Sequence, residues 1–215
     1  MSRNVNVVPA ILTDDPSALE KMARQAASFT DFVQIDIMDG RFVPSRSVTW
    51  EQIAGLPGNL KWEAHLMVRQ PERYLEGFKR AGASKIIFHY EATTSPHKVI
   101  SRVRNLRLEV GLAVNPETPI PAIVPCLNEV DSILLLTVTP GFYGSKFIPE
   151  VLGKVAELRN IQPGIEIGVD GGVKESNIRE IARAGVDYIC VGSAVFLQPD
   201  PAESYRRLQS LVKGH

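Results

Sequence analysis

The chain has 215 residues, 44% hydrophobic and 22% charged, and its 24 basic and 24 acidic side chains cancel to a formal net charge of zero. That length suits one domain, at the short end for an α/β barrel. The balanced charge argues against a nucleic-acid partner, and no apolar run approaches the roughly 18 residues that a membrane span needs.

Short apolar runs alternate with amphipathic segments that read as helices along the whole chain. The first strand is expected over Val5–Leu12. A helix follows over Pro16–Ala27, with Asp14 and Asp15 placed to cap it. Strands are expected over Phe32–Met38 and Lys61–Met67, then a helix over Pro71–Arg80 with Pro in its first turn and Gly82 beyond its end. Further strands are expected over Lys85–His89, Glu109–Val114, Ser132–Val138, Glu166–Asp170 and Tyr188–Val191, with helices over Ser176–Arg183 and Pro201–Val212. Strands alternating with helices demand a mostly parallel sheet under a helical cover. Eight such units predict a (β/α)8 TIM barrel, one domain over 1–215. The competing open, doubly wound sheet calls for a Gly-rich loop after the first strand, and Pro9-Ala10-Ile11-Leu12-Thr13 is no such loop.

Function in such a barrel sits where the strands end. In the second strand, alternation puts Gln34, Asp36 and Met38 on one face and Val33, Ile35 and Ile37 on the other. The polar set then points into the barrel, where a carboxylate is costly without a partner. Asp39, just before Gly40, reads as a turn residue. In the third strand His65 and Met67 face inward. Asp170 closes the seventh strand before Gly171 and Gly172, which allow close backbone approach to a ligand. With Gly192 and Ser193 after the eighth strand they form the pair of small-residue loops that bind phosphate in such barrels. The loop after the sixth strand carries Gly141, Phe142, Tyr143, Gly144 and Lys146, and reads as a binding lid. His89, Glu91 and Asn115 are weaker pointers, and His97 reads as a surface residue. Cys126 and Cys190 lack C-x-x-C spacing and read as buried free thiols in a cytoplasmic protein, since the N-terminus has no signal-peptide pattern.

The sequence resembles the ribulose-phosphate 3-epimerase family over nearly its whole length. The resemblance runs through Pro9-Ala10-Ile11-Leu12, Asp36-Ile37-Met38-Asp39-Gly40-Arg41-Phe42-Val43-Pro44, His65-Leu66-Met67-Val68, Asn115-Pro116-Glu117-Thr118-Pro119, Thr139-Pro140-Gly141-Phe142, Val169-Asp170-Gly171-Gly172-Val173 and Gly192-Ser193-Ala194. It implies inversion of a carbon beside a carbonyl in a small phosphorylated sugar. Asp36 and Asp170 would move the proton as base and acid. It also implies a divalent metal (Zn, Fe, Mn or Co) held by two histidines and the two aspartates, with Met38 and Met67 beside it. Of these ligands Asp36, His65 and Asp170 are present. Gln34 stands where the first histidine is implied, and an amide oxygen is a poorer ligand than imidazole, so the metal is expected to be weakened or absent. Ala10, Ser45 and Tyr143 also depart from the pattern. Family members often assemble, so a homo-oligomer is compatible with the resemblance, although no interface pattern stands out.

Three readings follow. One is a 3-epimerase with altered metal dependence, in which three ligands still hold a metal or the Gln34 amide donates to the enediolate without one. Another is an epimerase of a different ketose phosphate, or a different reaction on the same scaffold; the latter is disfavoured by the lack of a lysine beside Asp36. The last is a non-catalytic sugar-phosphate-binding relative.

Overall fold

The computed structural model describes residues 4–53, 56, 58–141 and 146–213. Eight strands, β1 (Asn6–Ile11), β2 (Phe32–Met38), β3 (Lys61–Met67), β4 (Lys85–His89), β5 (Glu109–Val114), β6 (Ser132–Leu136), β7 (Glu166–Asp170) and β8 (Tyr188–Val191), close into one barrel in sequence order. All neighbours are parallel, and β8 returns to β1 with Asn6 opposite Tyr188 and Pro9 opposite Val191. This is the predicted (β/α)8 barrel.

The outer layer comprises α1 (Pro16–Ala26), α2 (Leu75–Arg80), α3 (Pro96–Asn105), α4 (Gly153–Ile161), α5 (Ile178–Arg183), α6 (Ser193–Phe196) and α7 (Pro201–Val212). Asp15 caps α1, its Oδ1 accepting the Ser17 N–H at 2.9 Å. Two helix expectations need correction. The segment Pro71–Arg80 splits into a 3-10 turn over Pro71–Arg73 and then α2, with Gln70 left-handed at φ 57° just before the turn. The helix placed at Ser176 begins two residues later, at Ile178. The uniform strand–helix alternation also fails after β2 and β5, where the described residues form only 3-10 turns. After β5 the cause is plain: Pro116, Pro119, Pro121 and Pro125 each lack an N–H and cannot continue an α-helix.

Two apolar layers result. Outward strand residues such as Val33, Ile35 and Ile37 pack with the helices in the main core. Inside the barrel, Val8, Ala10, Ile87, Leu134, Tyr188 and Cys190 belong to a smaller plug. A fully buried aliphatic side chain of either layer stabilises the fold by about 1.5–3 kcal/mol. The plug separates two polar ends. The lower end holds Glu63, Lys85 and Glu166, and the upper end holds the predicted site.

Candidate active site

Inward side chains from the last turns of the strands face the βα loops. Strand register brings Asp36 level with His65 and Met38 level with Met67. It also sets Gln34 beside Ala10 of β1 and Asp170 beside Cys190 of β8. Side chains lock the backbone at both carboxylates. The Ser47 hydroxyl accepts the Met38 N–H at 2.9 Å and donates to the Asp36 carbonyl at 2.8 Å. Across the mouth, the Thr137 hydroxyl lies 3.0 and 2.6 Å from the carbonyls of Asp170 and Gly171. A Cβ on Gly171, at φ +112°, would fall 2.4 Å from Val138 Cγ2, so only glycine carries the chain past this point without strain.

Gln34 is wholly buried and lies at the centre. Its Nε2 donates to Asp36 Oδ1 and to Asp170 Oδ2, both at 2.8 Å. Its Oε1 accepts from the Cys190 thiol at 3.1 Å. His65 Nδ1 is 2.9 Å from Asp36 Oδ1 and 3.4 Å from Asp170 Oδ2. On its other side, His65 Nε2 meets His89 Nε2 at 2.9 Å, and His89 Nδ1 lies 3.5 Å from Glu91 Oε2. Glu91 Oε1 in turn accepts the Asn115 N–H at 2.9 Å.

The electrostatics follow from this packing. Burial pushes the Asp36 carboxyl up, His65 draws it down, Asp170 adds to the rise, and the net direction is upward. Burial alone would lower the His65 imidazole, but hydrogen bonds and charge from Asp170 and Asp36 outweigh it and hold the ring at about 10. His89 goes down, chiefly through burial. Burial first, then the Asp170 charge, pushes the Cys190 thiol well up, so it remains an S–H donor.

One pocket opens over these groups. Asp36, Met38, His65, Met67 and Asp170 line it. Gly171, Gly172, Gly192 and Ser193 line the same pocket with Gly141, so the expected phosphate loops meet the carboxylates in one cleft. Phe142, Tyr143 and Gly144 lie outside the described residues. Lys146 is exposed, whereas Lys174 lines the pocket; the sequence reading passed over Lys174. Cys190 is the buried free thiol expected, and the alternation that turns Tyr188 inward turns it inward too. Asp39 takes the turn role expected of it, accepting N–H groups of Arg41, Phe42 and Arg69, each at 2.9 Å.

Asp36, His65 and Asp170 each bring a donor atom within 4.8 Å of the others, which makes them a candidate metal-holding group. The space among them contains the Gln34 amide nitrogen. Its lone pair is delocalised and its hydrogens point at the carboxylates, so it offers a cation nothing. In this arrangement the donor set does not fit a divalent ion.

A family model described as the ribulose-phosphate 3 epimerase family matches residues 6–196. A ribulose-phosphate 3-epimerase of Synechocystis sp. is 38% identical over 213 residues, covering 95% of this chain and 93% of the relative. Its counterpart in Schizosaccharomyces pombe is 35% identical, with coverage of 96% and 93%. Among solved structures, 3-hexulose-6-phosphate synthase from Salmonella typhimurium superposes with a TM-score of 0.75 at 16% identity, covering 97% of this chain and 98% of that one. Orotidine 5′-phosphate decarboxylase from Pyrococcus horikoshii gives a TM-score of 0.69 at 18% identity, with coverage of 97% and 100%. At such identities these two likenesses are of fold alone.

Proposed function

The chain belongs to the ribulose-phosphate 3-epimerase family, and from that premise we propose that it interconverts D-ribulose 5-phosphate and D-xylulose 5-phosphate, with Asp36 and Asp170 on opposite faces of carbon 3. The observation that carries this reading is the meeting of two carboxylates, from β2 and β7, on one buried amide at the floor of one pocket.

One carboxylate takes the proton from carbon 3. The C–H electron pair becomes the C2–C3 double bond, and the carbonyl oxygen on C2 takes the negative charge. The other carboxyl returns a proton to the opposite face as the carbonyl re-forms. The configuration at C3 inverts, nothing is oxidised or reduced, and the two roles exchange in the reverse direction. The phosphate is read as lying at the backbone amides of Gly171, Gly172, Gly192 and Ser193, with Lys174 near it. Met38 and Met67 supply an apolar flank that keeps water from the enediolate. A divalent ion on Asp36, His65 and Asp170 would have three protein ligands at most, and no step above uses one. The enzyme is read as cytoplasmic, since both cysteines are buried and unpaired, the state a reducing compartment maintains.

Asp36→Asn and Asp170→Asn test the assignment. Each keeps the side-chain shape and removes the proton acceptor. Each is expected to cost at least about a hundredfold in turnover of ribulose 5-phosphate, with unfolding curves close to wild type. Retention of most of the turnover in either variant contradicts the two-carboxylate reading.

A further inference from the structure

We propose that in this chain the Gln34 amide, held by Cys190, takes the place of a divalent cation between Asp36 and Asp170 and makes the site independent of metal. The proposal rests on the epimerase reading above.

Two carboxylates that face one another in a buried site repel, and the arrangement persists only if something between them donates to both. Gln34 Nε2 does so with its two N–H groups, at 2.8 Å each. A cation ligand would have to present Oε1 instead. That oxygen points the other way, towards the Cys190 thiol at 3.1 Å. Turning the amide over would set its oxygen against two carboxylates and its N–H groups against sulfur, a weak acceptor. The methyl side chain of Ala10, beside Gln34 on β1, offers no polar group that would favour the reversed orientation. The amide is therefore committed from both ends.

This arrangement also serves the reaction. When one carboxylate takes the C3 proton, its charge passes to the oxygen on C2. The N–H that faced that carboxylate is then released to follow the charge to the enediolate oxygen. In the resting site both hydrogens are engaged by the aspartates.

The test uses the full chain purified without chelator, with metal content measured by mass spectrometry and zinc affinity by calorimetry. Ribulose 5-phosphate turnover is followed before and after chelation. Wild type is expected to carry less than about 0.1 ion per chain and to keep its turnover within about twofold after chelation, because the fourth ligand position is a donor rather than an imidazole. Gln34→His is expected to bind about one zinc per chain and to lose at least about tenfold in turnover on chelation. Cys190→Ala frees Oε1 to turn inward and is expected to raise zinc affinity about tenfold; unchanged affinity removes Cys190 from the account. Wild type holding about one ion per chain, with turnover that chelation abolishes and the ion restores, overturns the proposal. Should Gln34→His fail to fold, the wild-type count decides. If wild type shows no turnover under any condition, the reading of the aspartates falls, while the ion count still decides whether the amide stands in for the metal.

Discussion

At the scale of single residues, burial raises a carboxyl at each end of the barrel, but the two ends partner their carboxyls differently. At the top, the buried Asp36 and the more open Asp170 share an amide and an imidazole. At the bottom, Glu63 is buried 3.4 Å from Lys85 Nζ, and its Oε1 has no hydrogen-bond partner. Burial raises the Glu63 carboxyl to about 6, against the pull of Lys85. A carboxyl raised on folding favours the fold below its unfolded value and costs stability as pH climbs through the folded one. Wild type is therefore expected to lose about 2 kcal/mol relative to Glu63→Gln between about pH 4 and pH 7. Urea unfolding at the two pH values measures it, and a constant difference contradicts the burial argument.

At the scale of elements, the strands were the most legible part, because each is an apolar run bounded by polar or turn residues. Phe32–Met38, Lys61–Met67 and Tyr188–Val191 were read to the residue. The connections were less legible. Pro-rich turns after β5 and the left-handed Gln70 before α2 obey local backbone chemistry that an amphipathic pattern does not show. The side-chain partners of the site were only half legible. Alternation placed Gln34, Asp36 and His65 on the inward face, but which end of the amide faces which neighbour depends on Cys190, 156 residues away in sequence. Interior packing sets a further constraint that single-strand patterns hide. A Cβ on Gly168 would lie 2.1 Å from the Tyr188 ring, so the glycine of β7 makes room for the tyrosine of β8. Gly168→Ala is expected to cost about 1–3 kcal/mol through overpacking, and adding Tyr188→Leu is expected to recover part of it. An unfolding midpoint equal to wild type for Gly168→Ala refutes this packing account.

At the scale of the whole molecule, closure of the barrel is what brings β7 and β8 round to β1 and β2, and so brings Asp170 to Asp36. The seam is β1 on β8, and it is reinforced from the C-terminal helix. Gln209 of α7 accepts the Val7 N–H at 2.8 Å and donates to the Val5 carbonyl at 3.0 Å, acting on β1 like a short stretch of neighbouring strand. Gln209→Ala leaves both backbone groups without that partner and is expected to cost about 1–3 kcal/mol. Thermal unfolding reads the loss, and no shift in midpoint contradicts a role at the seam. Because the site exists only in the closed barrel, turnover is expected to vanish in the same transition as the fold.

The claim that two aspartates pass a proton across carbon 3 is tested most directly in deuterium oxide. Ribulose 5-phosphate is incubated with the enzyme and the C3 position is followed by proton magnetic resonance. The account predicts that xylulose 5-phosphate appears carrying solvent deuterium at C3, and that no xylulose 5-phosphate appears with Asp170→Asn. Folded wild-type protein that binds the sugar phosphate yet leaves C3 unlabelled would contradict it.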